Sequence, residues 1–269
     1  MYNNIRRGLV LLLVAVILTG VLGESSIAFA KGGHSSIDTS ELKKGIVIVN
    51  AQKEAIKVDK VRVIKDKITY TYDYEDFMRV PLQSGNGSYQ IQLLSHVIDN
   101  KFKQVAIETV DYRNGDGITI YLQSNIQVDW DVDMKAIKKA AALTKGLETD
   151  SEKVSAIYAY IINNYKYDNE KAKVVESGYI PSVEEVYRSK KGICYDYSVL
   201  FASMLRSLGI PAKVSMGTSK NVEGYHAWNE VYIDDKWITM DTTVDAGLGK
   251  MKTKIMEKKE SEYSTQKQY

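Results

Sequence analysis

The 269 residues are enough for one large domain or two modest ones, and 44% hydrophobic with 26% charged residues is the make-up of an ordinary globular chain. With 36 Lys and Arg against 34 Asp and Glu the net charge is +2, a balance that excludes nucleic acid as a dedicated partner on composition. Three prolines exclude a long Pro-rich linker, and a single cysteine, Cys194, excludes an internal disulfide, so the fold rests on a conventional core.

The N-terminus has the three-part layout of a secretory signal peptide. Arg6 and Arg7 precede an apolar run from Gly8 to Leu22, and Ala28-Phe29-Ala30 offers small residues for a cut before Lys31. An uncleaved anchor is the alternative, because the run is close to spanning length. Residues 1–30 are read as an export signal, with no stable membrane insertion after cleavage and a working place outside the cytoplasm. Residues 31–44 (KGGHSSIDTSELKK) are small and polar and read as a flexible leader.

From 45 to 132 the pattern is β. IVIVN (46–50), KVRVIK (60–65), KITYTYDY (67–74), SYQIQLL (88–94), QVAIETVDY (104–112) and ITIYLQ (118–123) are rich in β-branched and aromatic residues. Gly85-Asn86-Gly87, Asp99-Asn100-Lys101 and Asn114-Gly115-Asp116-Gly117 supply turn chemistry between several of them, which predicts a small antiparallel sheet or sandwich. His96 in this region has no Cys, His or carboxylate at ligand spacing and is read as structural.

Near Asp133 the period changes. MKAIKKAAALTKGL (134–147) and DSEKVSAIYAYIINNYKY (150–167) carry helical spacing, the second behind a Thr149-x-x-Glu152 capping box with Val154, Ile157, Tyr158 and Ile161 on one face. Ser182-x-x-Glu185 opens a short helix, and another is predicted from Cys194 to Leu208, stopped by Gly209. Strands follow at AKVSM (212–216), HAWNEVYI (226–233) and KWITMD (236–241). Residues 250–269 are polar and lysine-rich and read as a frayed or weakly docked tail.

Three residues in this half point to chemistry. Cys194 opens a helix behind Gly192-Ile193, where the positive end of the helix and its unpaired N–H groups favour a thiolate and could hold an oxyanion. Gly192 is read as leaving room for substrate. The strands 226–233 and 236–241 are joined by the two-residue loop Asp234-Asp235. In that register Trp228 faces Asp241, which puts Asp241 on the His226 side of the sheet, diagonal to it, with Cβ atoms about 7 Å apart. An Asp there can fix the imidazole tautomer and leave the other ring nitrogen to the thiol. The plainer readings are an inert buried Cys, a structural His and a turn-forming Asp. Asp196 is a rival acid, although as the third residue of a helix it fits a role on the dipole.

Gly192-Ile193-Cys194-Tyr195-Asp196-Tyr197 with LFASMLRSLGIPA (200–212), HAWNEVYI (226–233) and KWITMDTT (236–243) resemble the cysteine, histidine and aspartate motifs of the bacterial transglutaminase-like superfamily. IYAYIINNYKYD (157–168) resembles the helix before its core. The resemblance implies an α+β fold: a papain-like transglutaminase core, helices packed on an antiparallel sheet, over residues 133–249, preceded by the β-rich region 45–132. It implies Cys194 as nucleophile, His226 as general base and acid, and Asp241 as orienting acid, with no cofactor and no metal. The implied reaction is attack on an amide carbonyl to give a thioester, passed to an amine or to water. For an exported enzyme the first amides met are those of proteins and cell-wall peptides, so a protein or peptidoglycan peptide is the expected substrate partner. The competing reading is a non-catalytic binding or scaffold module on the same fold.

Overall fold

The computed structural model describes residues 35–52, 54–55, 57–113, 115–247 and 256–269. The export signal read over residues 1–30 lies outside the described residues. Among those described, no helix is long and apolar enough to cross a membrane.

Ser35 to Lys44 is not a free leader. β1 (Ile37–Asp38) pairs antiparallel with β2 (Ile46–Val49), Ile37 opposite Val49. Ile37 is buried, and burying one such side chain contributes roughly 1.5–3 kcal/mol, enough to dock a short polar stretch around it. Gly45 makes the corner between them at φ +77.

The next strands are β3 (Lys60–Lys65), β4 (Ile68–Asp73), β5 (Met78–Pro81), β6 (Gly87–Ile98) and β7 (Lys101–Tyr112). They form two antiparallel sheets among the described residues, β1-β2-β5 and β4-β3-β6-β7. Val61 and Val63, Tyr70 and Tyr72, and Tyr89, Ile91 and Leu93 are buried at every second position, as a sheet with one covered face requires.

The stretch 118–123, expected as a strand, is instead a 3₁₀ turn over Thr119–Leu122. Asp116 decides this locally. Its Oδ1 accepts the Ile118 and Thr119 N–H groups and its Oδ2 the Thr119 hydroxyl, while the Gln123 amide donates to the Thr119 carbonyl. Such side-chain bonds compete directly with a sheet ladder.

The second half begins with α1 (Lys135–Leu143) and α2 (Asp150–Asn164). The capping box forms as read: Glu152 N–H donates to Thr149 Oγ1 at 3.2 Å, and Thr149 N–H to Glu152 Oε2 at 3.0 Å. The short elements β8 (Lys166–Tyr167), α3 (Asn169–Val174), α4 (Val183–Ser189) and β9 (Lys191–Gly192) lead into α5 (Cys194–Ser207), with β8 and β9 parallel. Every residue of α5 from Tyr195 to Arg206 is buried, so this helix is the axis of the core rather than an amphipathic cover. Gly209 at φ +80 ends it.

Then come β10 (Ala212–Ser219), β11 (Tyr225–Ile233), β12 (Lys236–Met240), α6 (Thr242–Gly247) and β13 (Tyr263–Gln268). Their sheet runs β12-β11-β10-β13, antiparallel throughout. The result is an α+β fold with helices on an antiparallel sheet and a β-rich region ahead of it.

The polar tail is corrected by this sheet. Residues 256–269 are docked: Glu257 bridges Met240, β13 lies along β10, and Tyr269 exchanges backbone bonds with Val214 at 2.9 and 2.8 Å. Main-chain pairing holds the segment, so its Ser, Thr, Gln and Lys side chains gave no apolar alternation to read. Arg206, buried on α5, ties the parts together by donating to the carbonyls of Ala212, Gln123 and Tyr269. A continuous core cluster includes Val61, Ile91 and Val110 of the β-rich region together with Phe201, Val214 and Tyr269.

Phe201 sits fully buried at the centre of α5 with its ring 5.7 Å from that of Tyr158. Phe201→Ala is expected to lower unfolding free energy by about 3–5 kcal/mol, read from urea midpoints at unchanged slope.

Candidate active site

Cys194 is the first residue of α5, carried there by β9 and an extended Ile193. The first N–H groups of a helix have no intrahelical acceptor, so the thiol sits beside free donors at the positive end of the dipole. The side chain is partly exposed, as a nucleophile must be.

The β11–β12 hairpin delivers the other two residues. Asp234 and Asp235 both adopt positive φ, 50 and 60, the conformation of a tight two-residue turn that Asp tolerates. Ile233 then faces Lys236 and Asn229 faces Met240, so the next residue, Asp241, falls beside the His226–Trp228 face. His226 Nε2 lies 2.7 Å from Asp241 Oδ2, with 1% and 0% of the two side chains exposed. Nδ1 is thus the ring nitrogen left free of Asp241, and the Cys194 thiol lies near enough to the ring to raise its pKa. The structure brings Cys194, His226 and Asp241 together.

Asp241 is held at every acceptor. Its Oδ1 caps α6, accepting N–H groups of Thr243 and Val244 at 3.1 and 3.0 Å; its Oδ2 also accepts the Tyr263 hydroxyl at 3.0 Å. Its backbone carbonyl lies 2.9 Å from the Tyr158 hydroxyl, which is also 2.6 Å from Asp245 Oδ2. Lys258 closes the set with Nζ 2.6 and 2.8 Å from the two Asp245 oxygens. Trp228 is buried, its ring 6.2 Å from the imidazole and nearly parallel to it, so it serves as packing behind the His rather than as an exposed groove wall.

Burial alone would pull the His226 pKa down. The hydrogen bonds to Asp241 and Cys194, with their negative charges, more than offset that and hold it at about 9. Burial and the Asp241 charge push the Tyr263 phenol up, so it remains a donor to the carboxylate.

Asp196 is placed elsewhere. It accepts the Ile193 N–H at 2.7 Å, the Tyr179 hydroxyl at 2.6 Å and the Lys171 ammonium at 2.8 Å, completely buried. It therefore tethers α3 and the following loop to the start of α5. The role read for Gly192 changes with it: a Cβ there would stand 2.5 Å from the Asp196 Cβ, so glycine makes room for Asp196 rather than for substrate.

Sequence reading missed Tyr158, Asp245, Lys258 and Tyr263 as site residues. Tyr158 was visible only as part of an apolar helical face, and the last two lie in the polar tail. A short run of β-compatible residues, Tyr263-Ser264-Thr265, is the one signal that could have pointed there.

The family model of the transglutaminase-like superfamily matches residues 137–242, and that stretch is a transglutaminase-like domain. Over 118 residues the chain is 31% identical to the kyphoscoliosis peptidase of Mus musculus, an alignment covering 39% of this chain and 17% of that protein. Over 119 residues it is 31% identical to a UPF0252 protein of Methanocaldococcus jannaschii, covering 40% and 34%. The chain thus spans about a third or less of the length of these relatives. A crystal structure of a TGase matches at 30% identity and TM-score 0.33, over 40% of this chain and 30% of that one.

A raised His226 pKa fixes the sign of one pH effect. Between about pH 6.5 and 9 the folded protein keeps an imidazolium proton that the unfolded chain has lost, so this contribution to stability is full below pH 6.5 and lost as pH rises through 9. His226→Ala is expected to slow iodoacetamide alkylation of Cys194 at neutral pH by removing the imidazole beside the sulfur. Equal alkylation rates in the two proteins contradict the pairing.

Proposed function

We propose that this protein is an exported cysteine-dependent enzyme that cleaves amide bonds of protein or cell-wall peptides through a thioester on Cys194. The observation that carries the reading is the His226–Asp241 pair, fully buried at 2.7 Å, with the thiol on its free side. A scaffold would have no use for a buried imidazole–carboxylate pair aimed at the one cysteine, because burying such groups costs free energy that packing alone would avoid.

The chemistry follows from the positions. In the resting pair the imidazolium faces the thiolate. The sulfur attacks the amide carbonyl, forming the C–S bond as the carbonyl electrons move to oxygen. That oxyanion develops beside the N–H groups that open α5, which are fixed before the reaction starts. The tetrahedral intermediate collapses as His226 donates its proton to the leaving nitrogen, which departs as ammonia or an amine. Asp241, locked at both oxygens, holds the ring so that the same face serves both steps. His226, now neutral, takes a proton from water or from an amine as it attacks the thioester, and the thiolate is restored. Water gives hydrolysis and an amine gives cross-linking.

Export is inferred from the Arg6-Arg7, Gly8–Leu22 and Ala28-Phe29-Ala30 pattern, and the substrate class from the amides met outside the cytoplasm.

Cys194→Ala is expected to abolish ammonia or amine release from glutamine- and peptide-amide substrates, by at least about three orders of magnitude. Hydroxylamine should capture the acyl group from the wild-type thioester as a hydroxamate. Incorporation of a labelled primary amine in competition with water then reports transfer against hydrolysis. No acyl capture on any amide substrate would favour the scaffold reading.

A further inference from the structure

We infer that the C-terminal segment is a working part of the site, with Tyr263 a positioning residue that holds Asp241 and, through it, the His226 ring. This rests on Cys194, His226 and Asp241 acting as proposed above.

The segment grips Asp241 at two separate points. At the carboxylate, the Tyr263 hydroxyl donates to Oδ2, the same oxygen that binds His226. At the backbone, Lys258 anchors Asp245, Asp245 orients the Tyr158 hydroxyl, and that hydroxyl meets the Asp241 carbonyl. A strand that merely closed a sheet edge would need neither contact.

The phenol is itself fixed. Its ring packs on Trp228 at 4.9 Å, the residue that stacks on His226. The neighbouring Glu262 accepts from the Lys220 N–H at 2.9 Å through its backbone and from the Asn221 amide at 3.0 Å through its carboxylate. Tyr263 itself pairs with Ser219 at the start of β13.

The seat for the strand is built at the imidazole. Gly217 is the cross-strand partner of His226, and the β10–β13 register shifts between Met216 and Gly217. A Cβ on Gly217 would lie 2.0 Å from the Ser264 carbonyl oxygen, a backbone atom that cannot swing aside. Only glycine lets β13 approach at the position directly beside the catalytic His. Docking of the tail and alignment of the ring therefore share one residue.

The test uses the full chain with Tyr263→Phe and Gly217→Ala, following iodoacetamide alkylation of Cys194 and amide cleavage against pH. Tyr263→Phe keeps the ring on Trp228 and removes only the hydroxyl. With one donor fewer, the Asp241 carboxylate becomes a stronger acceptor, so the alkaline limb near pH 9 should move upward by roughly half a unit. Turnover should fall about tenfold, as when the partner that orients a catalytic group is lost. A purely structural tyrosine would move neither the limb nor the rate once thermal stability is matched. Gly217→Ala, which keeps every triad side chain but bars the strand, should lose at least as much activity. Wild-type limb and rate in Tyr263→Phe, or full activity in Gly217→Ala, overturns the inference. Equal alkylation of Cys194 in the wild type and in His226→Ala instead removes the triad reading beneath it, so the two failures are told apart.

Discussion

A carboxylate and an imidazole 2.7 Å apart, both out of water, are the constraint around which the second half of this protein is arranged. Burial works against both charged forms, so the pair persists only because each remaining lone pair and proton has a fixed partner. Asp241 receives four donors on its two oxygens, two from the start of α6, one from His226 and one from Tyr263. The elements that supply them come from β11, α6 and β13, and the carbonyl is held from α2 through Tyr158. Much of the packing around α5 can thus be understood as a clamp on one aspartate.

How much of this was legible follows from which forces act locally. The turn Asp234-Asp235 sets the β11–β12 register by chain geometry alone, so the facing of His226, Trp228 and Asp241 could be worked out from residue spacing. The Thr149–Glu152 capping box and the Gly209 stop are likewise settled within a few residues. Residues 118–123 misled because Asp116 bonds outweigh the β-branched composition. The segment 256–269 could not be read because backbone pairing to β10 leaves no mark on its side chains. Gly192 was placed correctly but for the wrong neighbour, since the contact with Asp196 depends on helix geometry one turn away.

The β-rich region is joined to the second half by specific polar contacts as well as apolar ones. Tyr195, the residue after Cys194, donates from its hydroxyl to the side-chain amide oxygen of Gln127. Gln127 is fixed in turn by Asn125, whose Oδ1 accepts its N–H at 3.0 Å. Arg79 of β5 forms a two-pronged pair with Glu41 at 2.7 Å and donates to the Ser124 carbonyl at 2.9 Å. A chain of contacts therefore runs from the first sheet, through residues 124–127, to the base of the cysteine helix. The β region acts as a buttress for α5, which gives it a role in the site without supplying a reacting group.

Asp196 is a fully buried carboxylate two residues from the thiol, and its partners account for it. At the third position of α5 its charge complements the helix dipole, yet alone it would repel a second negative charge nearby. The Lys171 ammonium, 2.8 Å away and packed 4.3 Å from the Tyr179 ring centre, balances that charge locally. The Ile193 N–H and the Tyr179 hydroxyl take up its remaining acceptor capacity. Asp196 thereby pins the turn that presents Cys194. Asp196 lies two residues from Cys194 and Asp241 binds the ring of His226, and their partners separate their roles: Asp196 is paired with a lysine and holds the backbone, whereas Asp241 faces an imidazole.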